Sequence, residues 1–237
     1  MQKILVICGK KQSGKSTLAS YIQGNIYKNH GFIKDFKVED GVLLQTHDKE
    51  VINLALQSSV CRQLAFAYQI KKILIDIMGL DRKQVYGTDA EKNTLTEYLW
   101  ENMPGLYETQ YKDRTGQMTG RDLLKYVGTE IFRKMNDKLW TNSAFRMCDT
   151  CGSRKVIFND GRHLPEIYIG KEKYGNNFKS IRLTRNLCPQ DTHDSEVAMD
   201  RDRFDWNLFD LVINNEDLNE HETYKIAEKS LVEWGWL

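Results

Sequence analysis

The stretch Ile4-Leu5-Val6-Ile7-Cys8-Gly9-Lys10-Lys11-Gln12-Ser13-Gly14-Lys15-Ser16-Thr17 decides how this chain is read. Its first five residues form an unbroken apolar run, the pattern of a strand buried on both faces in a parallel sheet. Gly9 ends the run. From Lys15 onward, Leu18, Ile22 and Ile26 recur at helical spacing, which predicts a helix that stops in the polar Asn29-His30-Gly31. Strand, glycine loop and helix follow one another directly.

Gly9 to Ser16 has the spacing G-x-x-x-x-G-K-S. In this setting glycines let the backbone wrap closely, so that its N–H groups and the helix N-terminus face an anionic phosphate. Gly9, Lys11, Ser13, Gly14 and Thr17 are the expected phosphate-loop contacts, Lys15 would reach the β- and γ-phosphates of ATP, and Ser16 would hold Mg²⁺.

Working outward, Ile33–Val38 and Val42–Thr46 around Glu39-Asp40-Gly41 predict a hairpin, and Val51–Leu56 is apolar without a period, so residues 32–59 are read as an insertion. Leu64-Ala65-Phe66-Ala67 predicts a second strand, and Ile70, Ile73, Leu74 and Ile77 one face of a helix. Residues 81–118 are polar and turn-rich and read as a surface excursion. An amphipathic helix follows Thr119-Gly120-Arg121-Asp122, and another is expected over Trp140–Cys148. Lys155–Phe158, Ser180–Leu183 and Leu211–Ile213 predict strands, and 219–234 a final helix. Strand and helix alternating in this way predict one α/β domain over 1–237, a parallel sheet flanked by helices on both faces with an inserted hairpin-like segment. There is no internal repeat and no low-complexity segment.

Composition excludes several classes. With 41% hydrophobic residues, 11% aromatics and 5 Trp, the chain carries the material of a packed core rather than of a disordered segment. No apolar run approaches the length of a membrane span, and the first strand-like stretch runs into a motif rather than a cleavage site. Five cysteines, an odd number without framework spacing, argue for a reducing cytoplasmic setting. A net charge of +1 predicts no general grip on nucleic acid, though it leaves room for a local basic cleft.

Other residues carry candidate chemistry. Asp160 stands at the end of the Val156–Phe158 strand, where a carboxylate beside a phosphate loop can hold Mg²⁺ through water or position an acceptor phosphate; it can equally serve as a turn or helix cap before Pro165. Arg121, Arg162, Arg182, Arg185, Arg201 and Arg203 form a set of cations. Phosphoryl transfer between two phosphorylated molecules concentrates negative charge, and guanidinium groups neutralise it. Arg162 and Arg185 lie just past predicted strand ends, the rim where doubly wound sheets bind ligands. Cys148, Cys151, Cys188 and His193 hold the atoms of a zinc set, but the plainer reading packs Cys148 in a helix and leaves Cys151 in a turn. Asp191-Thr192-His193-Asp194-Ser195-Glu196, within 186–204, reads as a lid or a solvated loop.

Several blocks in order give the chain a resemblance to the phage-type deoxynucleoside monophosphate kinases of the P-loop nucleotide kinase superfamily. They are Gly9–Thr17, Phe66-Ala67-Tyr68-Gln69-Ile70-Lys71, Tyr86-Gly87-Thr88-Asp89-Ala90-Glu91-Lys92-Asn93, Gly120–Leu124 with Gly128-Thr129-Glu130, Asn159-Asp160-Gly161-Arg162, Leu183-Thr184-Arg185, Asp191–Glu196 and Asp210–Asn214. The resemblance implies a P-loop kinase fold and transfer of the ATP γ-phosphate to a deoxynucleoside monophosphate, with Mg²⁺, in a homodimer. It gives Gly14, Lys15, Ser16 and Thr17 to ATP and Mg²⁺, Lys71, Arg121, Asp160 and Arg162 to the acceptor, and Arg185 to the phosphates from the lid side. Around residue 69 the family commonly has a proline, and the hairpin-like stretch lies outside the match. Alternatives are a small P-loop kinase for a nucleoside or a coenzyme precursor, and a nucleotide-dependent ATPase or switch; a nucleic-acid-processing ATPase fits the near-neutral charge poorly.

Overall fold

A computed structural model describes residues 2–46, 54–188, 190 and 194–237. Part of the apolar segment around Val51, with Pro189 and Asp191-Thr192-His193, lies outside the described residues. In chain order the elements are β1 (Lys3–Cys8), α1 (Lys15–Asn29), β2 (Asp35–Glu39), β3 (Val42–Thr46), α2 (Leu54–Val60), β4 (Cys61–Leu64), α3 (Tyr68–Asp76), α4 (Arg82–Tyr86), α5 (Asp89–Lys92), β5 (Leu95–Leu99), β6 (Gln117–Thr119), α6 (Gly120–Lys125), α7 (Leu139–Thr150), β7 (Lys155–Gly161), α8 (Leu164–Tyr174), β8 (Phe178–Leu183), α9 (Asp194–Val197), β9 (Leu211–Ile213) and α10 (Glu220–Glu233). They form two compact units, one of Met1–Phe66 with Phe145–Leu237 and one of Ala67–Ala144.

The first unit is α/β. Its five-stranded sheet has the order β4-β7-β1-β8-β9, and all pairings are parallel. β1 is central because Ile4 to Cys8 offers apolar side chains to both faces, and all five are fully buried. Leu5, Ile7, Ile157, Ile181 and Ile213 pack with Leu18, Ile22 and Ile26 of α1 and with Ala227 and Leu231 of α10. Phe158 is stacked on Phe66 with ring centroids 4.4 Å apart, and Phe145 meets it edge-on at 5.6 Å. Each such fully buried side chain contributes about 1.5–3 kcal/mol. α8 packs on β1 and β8, where Gly170 makes room for the Phe178 ring.

The strand order also creates a switch point. The chain leaves β1 for β4 and β7 on one side, while β8 leads to β9 on the other. Connections therefore diverge at the carboxyl ends of β1 and β8, and a crevice at such a switch point is where open parallel sheets bind ligands.

β2 and β3 form the expected antiparallel hairpin, with Glu39 opposite Val42. Asp40 (φ 50°) and Gly41 (φ 76°) both take the left-handed conformation that a two-residue turn requires. This turn rests on α1: Ser20 Oγ donates to the Gly41 carbonyl at 2.7 Å.

Two sequence expectations need correction, and one element went unforeseen. The second strand is Cys61–Leu64 rather than 64–67, because the Phe66 N–H donates to Asp160 Oδ1 (2.8 Å) instead of joining the ladder. The crossover helix α8 was not expected. Residues 81–118 are not merely a surface excursion: Val85, Trp100, Leu106 and Met118 are buried in the core of the second unit with Ile70, Leu74, Leu123, Tyr126 and Trp140.

In that second unit α6 runs on into a π-helical stretch, Tyr126–Arg133. Wider winding withdraws carbonyls from the ordinary helical ladder, and the Trp140 indole N–H donates to the Gly128 carbonyl at 3.0 Å. β5 and β6 form a small antiparallel pair. Among the described residues, no helix is long and apolar enough to cross a membrane.

Candidate functional site

The loop after β1 lies at the switch point of the first unit. Gly14 caps α1 in the left-handed conformation (φ 92°), which a side chain would strain. At Gly9 a Cβ would run into Ser13 Oγ, so only glycine allows the loop to close this tightly. Ser13 is fully buried, and its carbonyl accepts from Asn215 Nδ2 at 2.9 Å. Asn215, two residues past β9, thus fixes the loop.

Lys15 folds back over this loop. Its ammonium donates to the carbonyls of Gly9 (2.8 Å) and Lys10 (2.5 Å) and lies 3.4 Å from Ser13 Oγ. Only 7% of the residue is exposed. Burial holds its pKa well below the usual lysine range, and the Arg162 guanidinium pushes the same way while Asp160 opposes both. An ammonium so stripped of water gains from any anion brought to it. Ser16 is exposed on the first turn of α1, and Thr17 is half-buried.

Asp160 and Arg162, at the end of β7, complete this neighbourhood. One Asp160 oxygen is held by the Phe66 N–H. The backbone N–H groups of Arg162 (2.7 Å) and His163 (3.0 Å) donate to the buried Glu166 carboxylate, which fixes the entry into α8. The Arg162 side chain forms an ion pair with Glu196. Arg185 follows β8: its Nε donates to the Asn215 carbonyl (3.0 Å), and a second guanidinium nitrogen donates to the Leu218 carbonyl. With Gly14, Thr17, Leu18, Asn215, Glu220 and Thr223 it lines a small cleft at the start of α1.

Arg182, on β8, is 3% exposed and lies 5.3 Å from the Trp206 ring. Burial lowers its pKa, with Cys8 and Asp200 opposing. Arg201 and Arg203 are exposed.

The remaining expected residues belong to the second unit. Lys71 places its ammonium 4.5 Å from the Tyr86 ring centre. Arg121 donates to Asp89 Oδ1 (2.6 Å) and Asn93 Oδ1 (3.1 Å). The Tyr86–Asn93 segment therefore meets both cations.

Three residues that sequence reasoning passed over matter here, Glu166, Asp200 and Asn215, and Glu196 figured only as part of a lid or a solvated loop. Glu166 carried a signal, since a Pro165 start with Glu at the third helical position marks a helix entry. Within the segment read as a lid or a solvated loop, Glu196, Met199 and Phe204 are buried in the first unit, and Asp191-Thr192-His193 lies outside the described residues. The plainer reading of the cysteines matches the fold: Cys148 is buried in α7, and the Cys151 N–H donates to its carbonyl in the turn that follows. Cys188 Sγ lies 3.6 Å from Gln12 Oε1, and His193 lies outside the described residues. Among the described residues there is no group of three or more His, Cys, Asp or Glu that could hold a metal ion. No family model matches this sequence, and no curated protein matches it.

Proposed function

We propose that the chain is an ATP-dependent kinase of P-loop type that converts deoxynucleoside 5′-monophosphates to diphosphates. The observation that carries this reading is the buried cation at the switch point: Lys15 folded over the Gly9–Ser16 loop, with Arg162 and Asp160 beside it. A hydrolytic nucleophile with its base is not what these groups offer. They offer positive charge and fixed backbone donors, the inventory that phosphoryl transfer needs.

In this reading an oxygen of the acceptor phosphate attacks the γ-phosphorus of ATP, the bond to the β–γ bridging oxygen breaks, and ADP leaves. Lys15 would turn from the Gly9 and Lys10 carbonyls to the β- and γ-oxygens. Arg162 would neutralise charge on the moving group, and Asp160 would hold the acceptor side in place. The cleft beside Gly14 and Thr17 would take the nucleoside end of ATP. The resemblance gives Lys71 and Arg121, in the second unit, to binding of the acceptor. The exposed Ser16 hydroxyl, a hard oxygen donor without a carboxylate cage around it, fits Mg²⁺, which keeps waters and substrate oxygens as ligands. Bound there, the ion would supply charge neutralisation at the β- and γ-phosphates.

The test is a coupled ADP-release assay with ATP and Mg²⁺, run with each deoxynucleoside monophosphate, with ribonucleotides and without acceptor. ADP release dependent on particular deoxynucleotides supports the kinase. Release that ignores the acceptor would make the protein an ATPase.

A further inference from the structure

We infer that Glu196 and Asp200 serve as internal anions seated on the loop, and that the phosphates of a bound ligand take their place. The inference rests on the reading of Gly9–Ser16 as a phosphate site and adds a competitor carried by the chain itself. Glu196 is 6% exposed, a depth at which a carboxylate needs partners. One of its oxygens accepts the Lys11 backbone N–H at 2.7 Å, and the other pairs with Arg162. A loop amide and a guanidinium are the donors that a phosphate oxygen uses in such a place.

Asp200 repeats the arrangement one step away. Its Oδ2 lies 2.9 Å from Lys10 Nζ, and its Oδ1 lies 3.8 Å from an Arg182 nitrogen. Arg182 is the ill-matched partner: it is nine-tenths buried and more, yet its Nε has no hydrogen-bond partner among the described residues. A buried guanidinium met by one carboxylate at that distance is poorly compensated. A phosphate, with three acceptor oxygens on one centre, would satisfy Lys10, Arg162, Arg182 and the Lys11 amide better than two carboxylates held on a separate piece of chain. The self-occupied state would then lower the apparent affinity for phosphate ligands by the fraction of molecules it claims.

The experiment measures binding of inorganic tripolyphosphate, and of ATP without metal, by titration calorimetry on the full chain and on Glu196→Gln and Asp200→Asn. The expected result is that both variants bind tripolyphosphate about 5-fold or more tighter than the parent, because the uncharged amide competes weakly. Binding that is equal or weaker in both variants, with the parent still binding ATP, overturns the inference and leaves the loop reading standing. No binding by any of the three overturns the loop reading and the inference with it. Binding by the variants alone supports both. If Glu196→Gln does not fold, Asp200→Asn decides the case, since it leaves Glu196 on the loop and alters only the charge facing Lys10 and Arg182.

Discussion

Asn215 Nδ2 donates to the carbonyl of Ser13 across 2.9 Å, and its Oδ1 accepts the backbone N–H of Arg185 at 3.0 Å. One amide side chain, 1% exposed, thus ties the loop after β1 to the residue after β8. Asn215→Ala leaves a buried carbonyl and a half-buried N–H without their partner. The expected cost is about 1–3 kcal/mol in urea unfolding, with weaker ATP binding besides. An unchanged midpoint and affinity would show that the tie is dispensable.

Lys15 makes stability depend on pH. Its folded pKa lies well below the ordinary 10.5, so between those two values the unfolded chain binds a proton that the folded chain does not. Over that window stability from this group rises with pH, and it is lost again as pH falls through the folded pKa. Lys15→Met should flatten this slope, read as unfolding free energy against pH up to about 10.5, where the unfolded lysine titrates. Parallel curves for parent and variant would refute the assignment. The same variant should lower phosphoryl transfer about 100-fold or more while keeping the native circular dichroism.

Arg162 and Arg121 are assigned to the acceptor side, and kinetics can separate them from Lys15. Arg121→Ala should raise the acceptor KM about 10-fold or more and leave the KM for ATP within about a factor of three, whereas Arg162→Ala should raise the acceptor KM equally and weaken ATP as well, because Arg162 also meets the phosphates that displace Glu196. A loss confined to the ATP KM would move either residue to the donor side.

Trp140 donates its indole N–H to the Gly128 carbonyl within the π-helical stretch. Trp140→Phe keeps an aromatic ring in the core and removes only the indole donor. It should destabilise the second unit by about 1–3 kcal/mol, seen as faster amide exchange over Tyr126–Arg133, with the β1 amides unaffected. Uniform acceleration in both units would contradict a local role.

Much of the first unit was legible in the chain because its signals are local. An unbroken apolar run marked β1, a two-residue turn marked the hairpin, and Leu211–Ile213 and the last helix were read where they stand. The loop could be read because glycines at Gly9 and Gly14 meet steric demands that no other residue meets. Other features depend on distant partners. Phe66 falls out of the strand because Asp160 claims its N–H, an event 94 positions away in the chain. Glu196, Asp200 and Asn215 have ordinary polar surroundings in sequence, and their roles come only from the cations and carbonyls that folding brings to them. Trp100, Leu106 and Met118 lie too far apart among polar residues to show a period, yet together they build a core.

The sheet order has a consequence for the birth of the chain. β1 is made first, but its neighbours are β7 and β8, so Ile4 waits for Val156 and Phe178 before either edge of the strand is covered. An apolar ribbon with both edges open invites pairing with other chains. Ala67–Ala144, by contrast, holds its core partners within one continuous stretch and can mature on the ribosome while the ribbon waits. Assembly of the first unit waits on long-range parallel pairing, which is intrinsically slow, and the β1 segment is the stretch whose edges stay open in the meantime.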